Sequence, residues 1–402
     1  MNSVTLDKVY HAAYVLKSVA RKTDLIRAAG LCPDCELYLK TENLQVTGSF
    51  KVRGAYYKIS QLTEEEKEKG VIASSAGNHA QGVALAAKEN GIPCVICMPD
   101  GAPISKVEAT KAYGAKVCLV KGAYDDAYDY ACELQEKEGY TFIHPFNDPE
   151  VIAGQGTIGL EILDQMPDVD VVLVPVGGGG LISGVAFAIK KLHPECKVYG
   201  VQAAGSASME QSLKQHEPIT LETASTFADG IAVKHPGDLT FSLVNEYVDG
   251  VVTVTDDETA CAILALMEKQ KLVTEGAGAV AVAAAMFGKV DLRGKKAVCL
   301  LSGGNIDVNI LSRVITRGLT IAGRNSTLTL QLEDKPGQLT DVSDIISRNG
   351  GNVVRVHYNQ SDPNLAITSC YLTLSIETRD GDQVEKIKTD LAAAGFQLVS
   401  HS

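Results

Sequence analysis

Val171-Val-Leu-Val-Pro-Val-Gly-Gly-Gly-Gly-Leu-Ile-Ser-Gly184 is the stretch that decides the fold. With the residues up to Ile189 it makes nineteen positions without a charge, nominally enough for a helix to cross a bilayer. Pro175 and the four glycines lie in the middle, where a helix would lose a hydrogen bond and contain residues of poor helix propensity. The stretch therefore predicts a strand, a glycine-rich loop and a helix.

The same theme repeats from about residue 70 to residue 310: a short apolar run, a turn rich in Gly or Ser, and an Ala-rich helical pattern. Val71-Ile-Ala leads into Ser74-Ser-Ala-Gly-Asn-His79, and Ile92 to Met98 leads into another such turn. Alternating strands and helices with continuously apolar strands predict a parallel sheet covered on both faces, and hence an α/β fold. Ligands of such sheets bind at the carboxyl ends of the strands, where these turns lie.

The pattern changes after Gly323. Alternating strands are predicted at 327–332, 353–358 and 369–376. Asp334-Lys-Pro-Gly-Gln-Leu339 is predicted to open a helix through Ser347, and a second helix at 383–394 precedes a short strand at 396–399. This order, over roughly 75 residues, is typical of a ferredoxin-like α+β domain. We therefore expect a first domain over residues 1–322 and a small C-terminal domain over residues 323–402.

The composition limits the partners. Of 402 residues, 45% are hydrophobic and 21% charged, which indicates a globular protein. The net charge of -12, without a basic run, argues against nucleic acid or an anionic membrane as the main partner. The first twenty residues contain no apolar stretch of the signal-peptide type, so a cytoplasmic protein with small-molecule or protein partners is expected.

Ten cysteines include two C-x-x-C pairs, Cys32 with Cys35 and Cys94 with Cys97, which together could form a zinc site. Cys94 and Cys97 fall within a predicted strand and would point to opposite faces, so they could not share a metal ion. Reduced structural thiols and no metal site are expected. Motifs of zinc or serine hydrolases, H-E-x-x-H and G-x-S-x-G, are absent from the sequence.

The glycine run from Gly177 to Gly180 can turn several N–H groups inward at a helix N-terminus, which favours a phosphate group. The dinucleotide pattern G-x-G-x-x-G is not satisfied, and valine follows Gly184 where a nucleotide-triphosphate loop has lysine. The alternative is a tight turn required only for packing. We expect a phosphate group that does not belong to a plain dinucleotide.

Lys51 lies in the first turn of a predicted helix between Phe50 and Val52, an environment that can desolvate the amine and lower its pKa. A single lysine on a helix is more often solvated, so Lys51 indicates a reactive amine only in combination with the other motifs of the sequence.

Two further turns contain polar groups at strand ends. Ser74-Ser-Ala-Gly-Asn-His-Ala-Gln-Gly82 brings hydroxyls, an amide and N–H groups to a helix N-terminus, which suits a carboxylate, although an ordinary serine cap would look similar. Ser302-Gly-Gly-Asn305 follows another predicted strand.

A reactive lysine, a phosphate site and a carboxylate site on one parallel-sheet protein are what pyridoxal phosphate and an amino acid require. In order and spacing the four motifs resemble those of fold-type II pyridoxal-phosphate enzymes, and roughly residues 1 to 322 are similar to the threonine dehydratase (threonine ammonia-lyase) family. The resemblance implies two open parallel-sheet α/β subdomains, the smaller inserted at roughly 50–150. The tail, with Asp334-x-Pro-Gly-x-Leu339, resembles an ACT domain, an amino-acid-sensing module.

The resemblance also implies roles for single residues. Lys51 would hold the cofactor and act as the catalytic base, Phe50 would pack beside the ring, and Ser302 would face the pyridine nitrogen. Asn78 would bind the ring hydroxyl. The cofactor phosphate would be bound by Gly177, Gly178, Gly179, Gly180 and Leu181, and the substrate carboxylate by Ser75, Asn78 and His79. The implied reaction is β-elimination of L-threonine to 2-oxobutanoate and ammonia, with L-serine as a second substrate.

The chain differs from two groups of relatives at positions that matter for the reaction and for metal binding. Serine racemases of this fold have a serine where this chain has Ala76, so racemisation is not expected. Relatives with a divalent-cation site use acidic side chains where this chain has Gln202 and Ser208, so no metal is expected. An L-serine dehydratase or another amino-acid lyase of the fold, and a non-catalytic amino-acid sensor, stay open as alternatives.

Regulation and assembly are expected from the same resemblance. A purine nucleotide effector would bind at Thr47, Gln81, Tyr113 and Asn305. Isoleucine or valine would bind in the ACT-like domain where the helix after Pro336 and Gly337 meets Asn352, because a helix N-terminus offers free N–H groups to a carboxylate. The alternative is a dimerisation module without a ligand. A homodimer or homotetramer is expected.

Overall fold

The computed structural model describes residues 3–363 and 365–399. It divides into two compact units, the first extending to Asp307 and the second beginning at Val308. The strands are β1 (Leu25–Arg27), β2 (Glu36–Lys40), β3 (Val71–Ser74), β4 (Cys94–Pro99), β5 (Lys116–Val120), β6 (Thr141–Phe142), β7 (Val171–Pro175), β8 (Lys197–Ala203), β9 (Gly250–Val254), β10 (Lys296–Leu300), β11 (Asn325–Glu333), β12 (Asn352–Asn359), β13 (Ser369–Glu377) and β14 (Gln397–Leu398).

The chain also forms helices in both units. They are α1 (Leu6–Val15), α2 (Lys51–Ser60), α3 (Glu64–Lys69), α4 (Asn78–Glu89), α5 (Ile104–Ala112), α6 (Tyr124–Glu138), α7 (Pro149–Gln165), α8 (Gly180–Leu192), α9 (Ser208–Gln215), α10 (Asp238–Tyr247), α11 (Asp256–Ala265), α12 (Gly276–Met286), α13 (Val308–Ile321), α14 (Gln338–Arg348) and α15 (Gly381–Ala393). No helix of the described residues is long and apolar enough to span a membrane. The uncharged stretch at 171–189 forms β7, a loop and part of α8, as its proline and glycines predict.

The larger sheet of the first unit has the strand order β1-β2-β10-β7-β8-β9. All its pairs are parallel except β1 with β2. Its core is aliphatic, and Val172, Val298 and Leu300 are fully buried in one cluster with residues of α7 and α8. Burial on both faces explains why these strands read as continuous apolar runs rather than alternating ones.

The smaller sheet has the order β5-β4-β3-β6 and is parallel throughout. Its strands come between β2 and β7 in the chain. Cys94 and Cys97 lie on β4 and pack into different apolar clusters, as expected for side chains on opposite faces of a strand. The two open parallel sheets confirm the predicted α/β fold class.

A buried ion cluster anchors helix α2, which begins at Lys51. Arg53 is 1% exposed and donates to both carboxylate oxygens of Glu42 at 2.8 Å. It also donates to Glu161 Oε1 of α7 at 2.6 Å, and Lys40 of β2 donates to Glu161 Oε2 at 2.6 Å. The cluster ties α2 to the end of β2 and to α7, so it restricts movement of the helix that presents Lys51.

The second unit contains α13 and an antiparallel sheet of order β12-β13-β11-β14. Leu330 of β11 lies opposite Leu372 of β13, and both are fully buried in one cluster with Ile346 of α14 and Leu391 of α15. From β11 to β14 the element order is the ferredoxin-like order predicted for the tail. The predicted domain boundary at 322/323 stays a prediction, and helix α13, which precedes it, belongs to the second unit.

Candidate active site

Lys51 opens helix α2 inside the first unit. Its Nζ donates a hydrogen bond of 2.8 Å to the carbonyl oxygen of Pro145 and lies 5.3 Å from the ring centroid of Phe50. Burial lowers the pKa of Lys51 from 10.5 to about 8, and the carboxyl of Glu275 opposes this shift. A neutral amine is therefore available close to physiological pH.

Backbone bonds hold Lys51 beside the turn after β10. Ser49 forms an antiparallel bridge with Gly303, and the Phe50 N–H donates to the Ser302 carbonyl oxygen at 3.1 Å. The Ser302 side chain is 3% exposed, and its Oγ donates to the carbonyl oxygen of Ala277 at 3.2 Å. The structure thus brings Phe50, Lys51 and Ser302 together, although about 250 residues separate Lys51 from Ser302 in the chain.

The glycine loop between β7 and α8 has the properties of a phosphate site. Among the described residues, the N–H groups of Gly177 to Leu181 donate no hydrogen bond to the protein. Gly179 has φ +96°, a left-handed conformation that favours glycine. A Cβ on Gly178 would lie 2.4 Å from two ring carbons of Phe146, so no larger residue fits there. The loop therefore fits the phosphate of pyridoxal phosphate, with free donors at a helix N-terminus.

The start of α4 fits a carboxylate. Gly77 precedes the helix without a side-chain cap, and no hydrogen bond from the N–H groups of Asn78 and His79 is recorded in the described part of the chain. Ser75 Oγ accepts from the Gly77 N–H at 3.2 Å and is half-buried. Ser75 and Asn78 therefore lie where they were expected, at a helix N-terminus with unused donors.

The His79 side chain is directed away from this helix start. It is 4% exposed, and its Nε2 lies 2.7 Å from the carbonyl oxygen of Ile143. Burial and the nearby Lys51 lower its pKa to about 3, so the ring is neutral. The ring is therefore occupied by Ile143, whereas the His79 backbone N–H has no recorded partner in the described part of the chain.

Asn78 is held by two neighbours. Its Nδ2 donates to Glu275 Oε1 at 2.6 Å, and its Oδ1 accepts from Asn305 Nδ2 at 2.8 Å. Asn305 Nδ2 also donates to the Thr47 carbonyl oxygen at 2.7 Å. Of the four residues predicted to bind a nucleotide, the structure thus joins Thr47 and Asn305, whereas Gln81 lies on α4 and Tyr113 follows α5.

The residues predicted to form the ACT ligand site do not meet within one chain. Pro336 and Gly337 precede α14, whereas Asn352 opens β12 after α14 and donates to Glu377 Oε2 at 3.0 Å. The other end of β12 approaches the loop before α14, since Tyr358 donates to Asp334 Oδ1 at 3.0 Å. The eight residues of β12 span about 26 Å between these two ends, and the ligand site at Pro336, Gly337 and Asn352 stays a prediction.

Gln202 and Ser208 form hydrogen bonds to the protein. Gln202 Nε2 donates to the Ser206 carbonyl oxygen at 3.2 Å, and its Oε1 accepts from the Glu210 N–H at 2.8 Å. Ser208 Oγ donates to the Val233 carbonyl oxygen at 2.8 Å. Residues 3–363 and 365–399 contain no group of three or more His, Cys, Asp or Glu arranged to hold a metal ion.

Several residues of the site lie outside the motifs that the sequence shows. Phe146 covers the glycine loop, Thr240 Oγ1 donates to the Gly178 carbonyl oxygen at 2.6 Å, and Glu275 contacts Asn78. His144 orients the Phe146 segment, because its Nδ1 accepts from the Phe146 and Asn147 N–H groups. None of these lies in a glycine-rich or hydroxyl-rich motif, and only the folded chain brings them to the site.

Comparisons with known proteins agree with this geometry. Residues 16–303 match the family described as pyridoxal-phosphate dependent enzyme. L-threonine ammonia-lyase of Thermotoga maritima is 51% identical over 397 residues, which cover 98% of this chain and 99% of that protein. The catabolic L-threonine dehydratase of Escherichia coli is 47% identical over 77% of this chain and 96% of its own length.

Solved structures show the same likeness. The processed threonine deaminase isoform 2 of Solanum lycopersicum has a TM-score of 0.73 at 40% identity, covering 78% of this chain and 89% of that one. Maize serine racemase has a TM-score of 0.74 at 35% identity, covering 79% and 99%. The predicted family and cofactor are confirmed: the chain belongs to the pyridoxal-phosphate-dependent enzymes, in the family that includes the L-threonine ammonia-lyases.

Proposed function

We propose that this protein catalyses the pyridoxal-phosphate-dependent β-elimination of L-threonine to 2-oxobutanoate and ammonia. The observation that carries the proposal is the environment of Lys51, whose amine has a pKa of about 8 and whose helix start is joined to Ser302 through Phe50. Two relatives named L-threonine ammonia-lyase, 51% and 44% identical, align with 98% and 95% of this chain.

Pyridoxal phosphate, when bound, supplies an electron sink for the pair left at the substrate α-carbon after deprotonation. The free N–H groups of Gly177 to Leu181 would hold its phosphate, and one Asn78 N–H its ring hydroxyl. Ser302 would face the pyridine nitrogen with a hydroxyl, which supports a neutral ring where a carboxylate would keep it protonated. A neutral ring withdraws electrons less strongly than a protonated one, which favours rapid expulsion of a β-substituent.

Lys51 would accept the proton from the substrate α-carbon. Its lowered pKa makes the neutral amine available to accept the α-proton, and the 2.8 Å bond to Pro145 fixes its position. The N–H groups at the start of α4, with Ser75, would hold the substrate carboxylate so that the α-proton faces the amine. Breaking of the β-carbon–oxygen bond would release the hydroxyl as water, with the proton taken from the α-carbon. The enamine that is released would tautomerise to an imine, and its hydrolysis would give 2-oxobutanoate and ammonia.

L-serine is the proposed second substrate. It lacks only one methyl group, and a methyl is worth about 1–3 kcal/mol of discrimination. Racemisation is not proposed, because Ala76 offers a methyl where a second proton donor would be needed on the opposite face.

The test is the visible spectrum of the purified protein while L-threonine is added and 2-oxo acid is measured. We expect a yellow protein that forms 2-oxobutanoate, and loss of both properties in Lys51→Ala. Lys58→Ala is the matched control, since Lys58 lies on the same helix and pairs with Asp148. A yellow protein inert to threonine but active on L-serine would indicate a serine dehydratase, and binding without turnover would indicate a sensor.

We also propose a regulated cytoplasmic homo-oligomer. All ten cysteines are free, which fits a reducing compartment. On the surface, Tyr10 and Tyr14 of α1 are 51% and 72% exposed, and Tyr10 and Leu192 border a groove of about 450 Å³. Light scattering is expected to give a dimer or tetramer mass, and a monomer mass would contradict this proposal.

For the effector, the start of α14 is the proposed site of a branched-chain amino acid. Gly337, with φ +96°, is the residue that caps the start of α14, and it has no side chain that could accept from the helix. The first N–H groups of α14 can therefore bind a carboxylate. Calorimetry is expected to show heat with isoleucine or valine, whereas no heat would favour a pure dimerisation module. Equal activity with and without AMP or ADP would remove the nucleotide proposal at Thr47, Gln81, Tyr113 and Asn305.

A further inference from the structure

The carboxyl of Glu275 is buried next to the residues that would hold the cofactor, but none of the proposed steps uses it. The residue precedes α12 and is 4% exposed. Its backbone N–H donates to the Gly303 carbonyl oxygen at 3.1 Å, and its Oε1 accepts the 2.6 Å hydrogen bond from Asn78 Nδ2. A Cβ on Gly303 would lie 2.5 Å from Glu275 Oε1, so the carboxyl packs directly against the turn after Ser302.

The contacts of Asn78 fix which way its amide faces. Its oxygen accepts from Asn305 Nδ2, and its nitrogen donates to Glu275. An amide held in this way cannot turn over without losing both hydrogen bonds. One N–H of Asn78 Nδ2 stays without a recorded partner in the described chain, and it belongs to the residue that would bind the ring hydroxyl of the cofactor.

We propose that Glu275 is a positioning residue for this reaction, which accepts from Asn78 Nδ2 and thereby keeps the second Asn78 N–H directed at the cofactor ring. The inference rests on the proposed function, because the orientation of Asn78 has no chemical consequence without pyridoxal phosphate. Glu275 acts only through Asn78 and contacts no reacting atom.

A structural role explains the residue less well. Burial of a carboxyl is costly, and a neutral residue of the same shape with the same hydrogen bond would avoid that cost. A role in the fold would therefore make Glu275→Gln neutral or stabilising, without any change at the cofactor. A positioning role makes the same change visible in the cofactor spectrum.

The charged groups around Glu275 place its ionisation in the neutral pH range. Burial and Asp229, in the loop before α10, raise its pKa to about 7, while the Asn78 hydrogen bond, Lys106 of α5 and Lys51 of α2 oppose the shift. Hydrogen bonds to a charged acceptor are stronger than those to a neutral one. The hydrogen bond from Asn78 Nδ2 to Glu275 therefore becomes stronger as the carboxyl ionises, when the pH rises through about 7.

The experiment measures two properties of the cofactor complex without substrate: the visible spectrum against pH and the affinity of the apoprotein for pyridoxal phosphate. The wild type is expected to show a spectral transition centred near pH 7 that is absent from Glu275→Gln. Glu89→Gln, which removes an exposed carboxylate from the far end of α4, should keep it. An unchanged transition in Glu275→Gln would overturn the proposal.

The affinity measurement separates action through Asn78 from direct action. At pH 6, where the Glu275 carboxyl is mostly protonated, Glu275→Ala should weaken cofactor binding about five-fold, the worth of one neutral hydrogen bond. In an Asn78→Ala background the same change should cost nothing further, because the residue it positions is gone. An additional loss in the double variant would overturn the proposal. If Glu275→Ala does not fold, the Gln variant decides. A wild type that binds no cofactor would instead refute the proposed function.

Discussion

Replacing Gly178 with alanine is expected to weaken cofactor binding while leaving the fold intact. The added Cβ would lie 2.4 Å from Cδ1 and Cε1 of Phe146, whereas carbon atoms in contact are about 3.5–4.0 Å apart. The Phe146 backbone cannot easily retreat, because the Phe146 and Asn147 N–H groups are both bound to His144 Nδ1, and the Phe146 ring packs edge-on against the His144 ring at 4.7 Å. The glycine loop must therefore move away from the position in which its N–H groups meet the phosphate.

The cost can be estimated from the overlap. Overpacking by one methyl group costs about 1–3 kcal/mol, which raises the dissociation constant for pyridoxal phosphate by about 5- to 150-fold. The assay is titration of the apoprotein followed by visible absorbance. Gly101→Ala is the control, since a Cβ there has no atom within 4 Å and its φ is not in the left-handed region.

A double variant tests the physical reason. In a Phe146→Ala background the ring is absent, so Gly178→Ala should lose most of its effect on the dissociation constant. An unchanged dissociation constant in the single variant would refute the reasoning, as would an equal loss with and without the Phe146 ring.

Three further predictions concern the amine, the metal and the buried ions. The rate at which apoprotein takes up pyridoxal phosphate should rise with pH and level off above about 8, because only the neutral Lys51 amine reacts with the aldehyde and burial lowers its pKa to about 8; stopped-flow absorbance measures this. EDTA should leave activity and melting temperature unchanged. Gln202 stands where relatives with a divalent-cation site have an acidic side chain, and its amide donates to the Ser206 carbonyl oxygen. Arg53→Met should lower the free energy of unfolding in urea by about 3–5 kcal/mol, because it leaves Glu42 buried and unpaired.

Each of these has an outcome that contradicts it. An uptake rate that keeps rising to the ordinary lysine value of 10.5 would show that Lys51 is not desolvated. Activity lost in EDTA and restored by a divalent cation would reveal a metal requirement. For the buried ions, Arg293→Met is the control, because its partner Asp291 is exposed and such surface pairs are worth less than about 1 kcal/mol. Equal effects of the two changes would disprove the burial argument.

The sequence predicted those parts of the molecule whose signals are local. The glycine run after β7, the serine and asparagine turn after β3 and Lys51 at a helix start could all be read from neighbouring residues. The tail was also predicted with its element order, because its strands alternate and its helices are amphipathic.

Contacts between distant segments could not be read in this way. Glu275 precedes an Ala-rich helix and looks like any residue at a helix start, and Phe146 looks like a core aromatic. The contact of the His79 ring could not be read either, because the Ile143 carbonyl oxygen that it meets belongs to a segment 64 residues away. The sequence also did not show that helix α14 lies between Gly337 and Asn352, so their proposed common ligand site stays a prediction.

Strand β10 has a consequence for how the protein is made. It lies between β2 and β7 in the larger sheet but leaves the ribosome after both. A nascent chain that ends before Lys296 therefore has two unpaired strand edges, which invite association with other chains. The bridge between Ser49 and Gly303 also needs this late segment. We therefore expect a product truncated before β10 to lack this bridge and to be prone to aggregate.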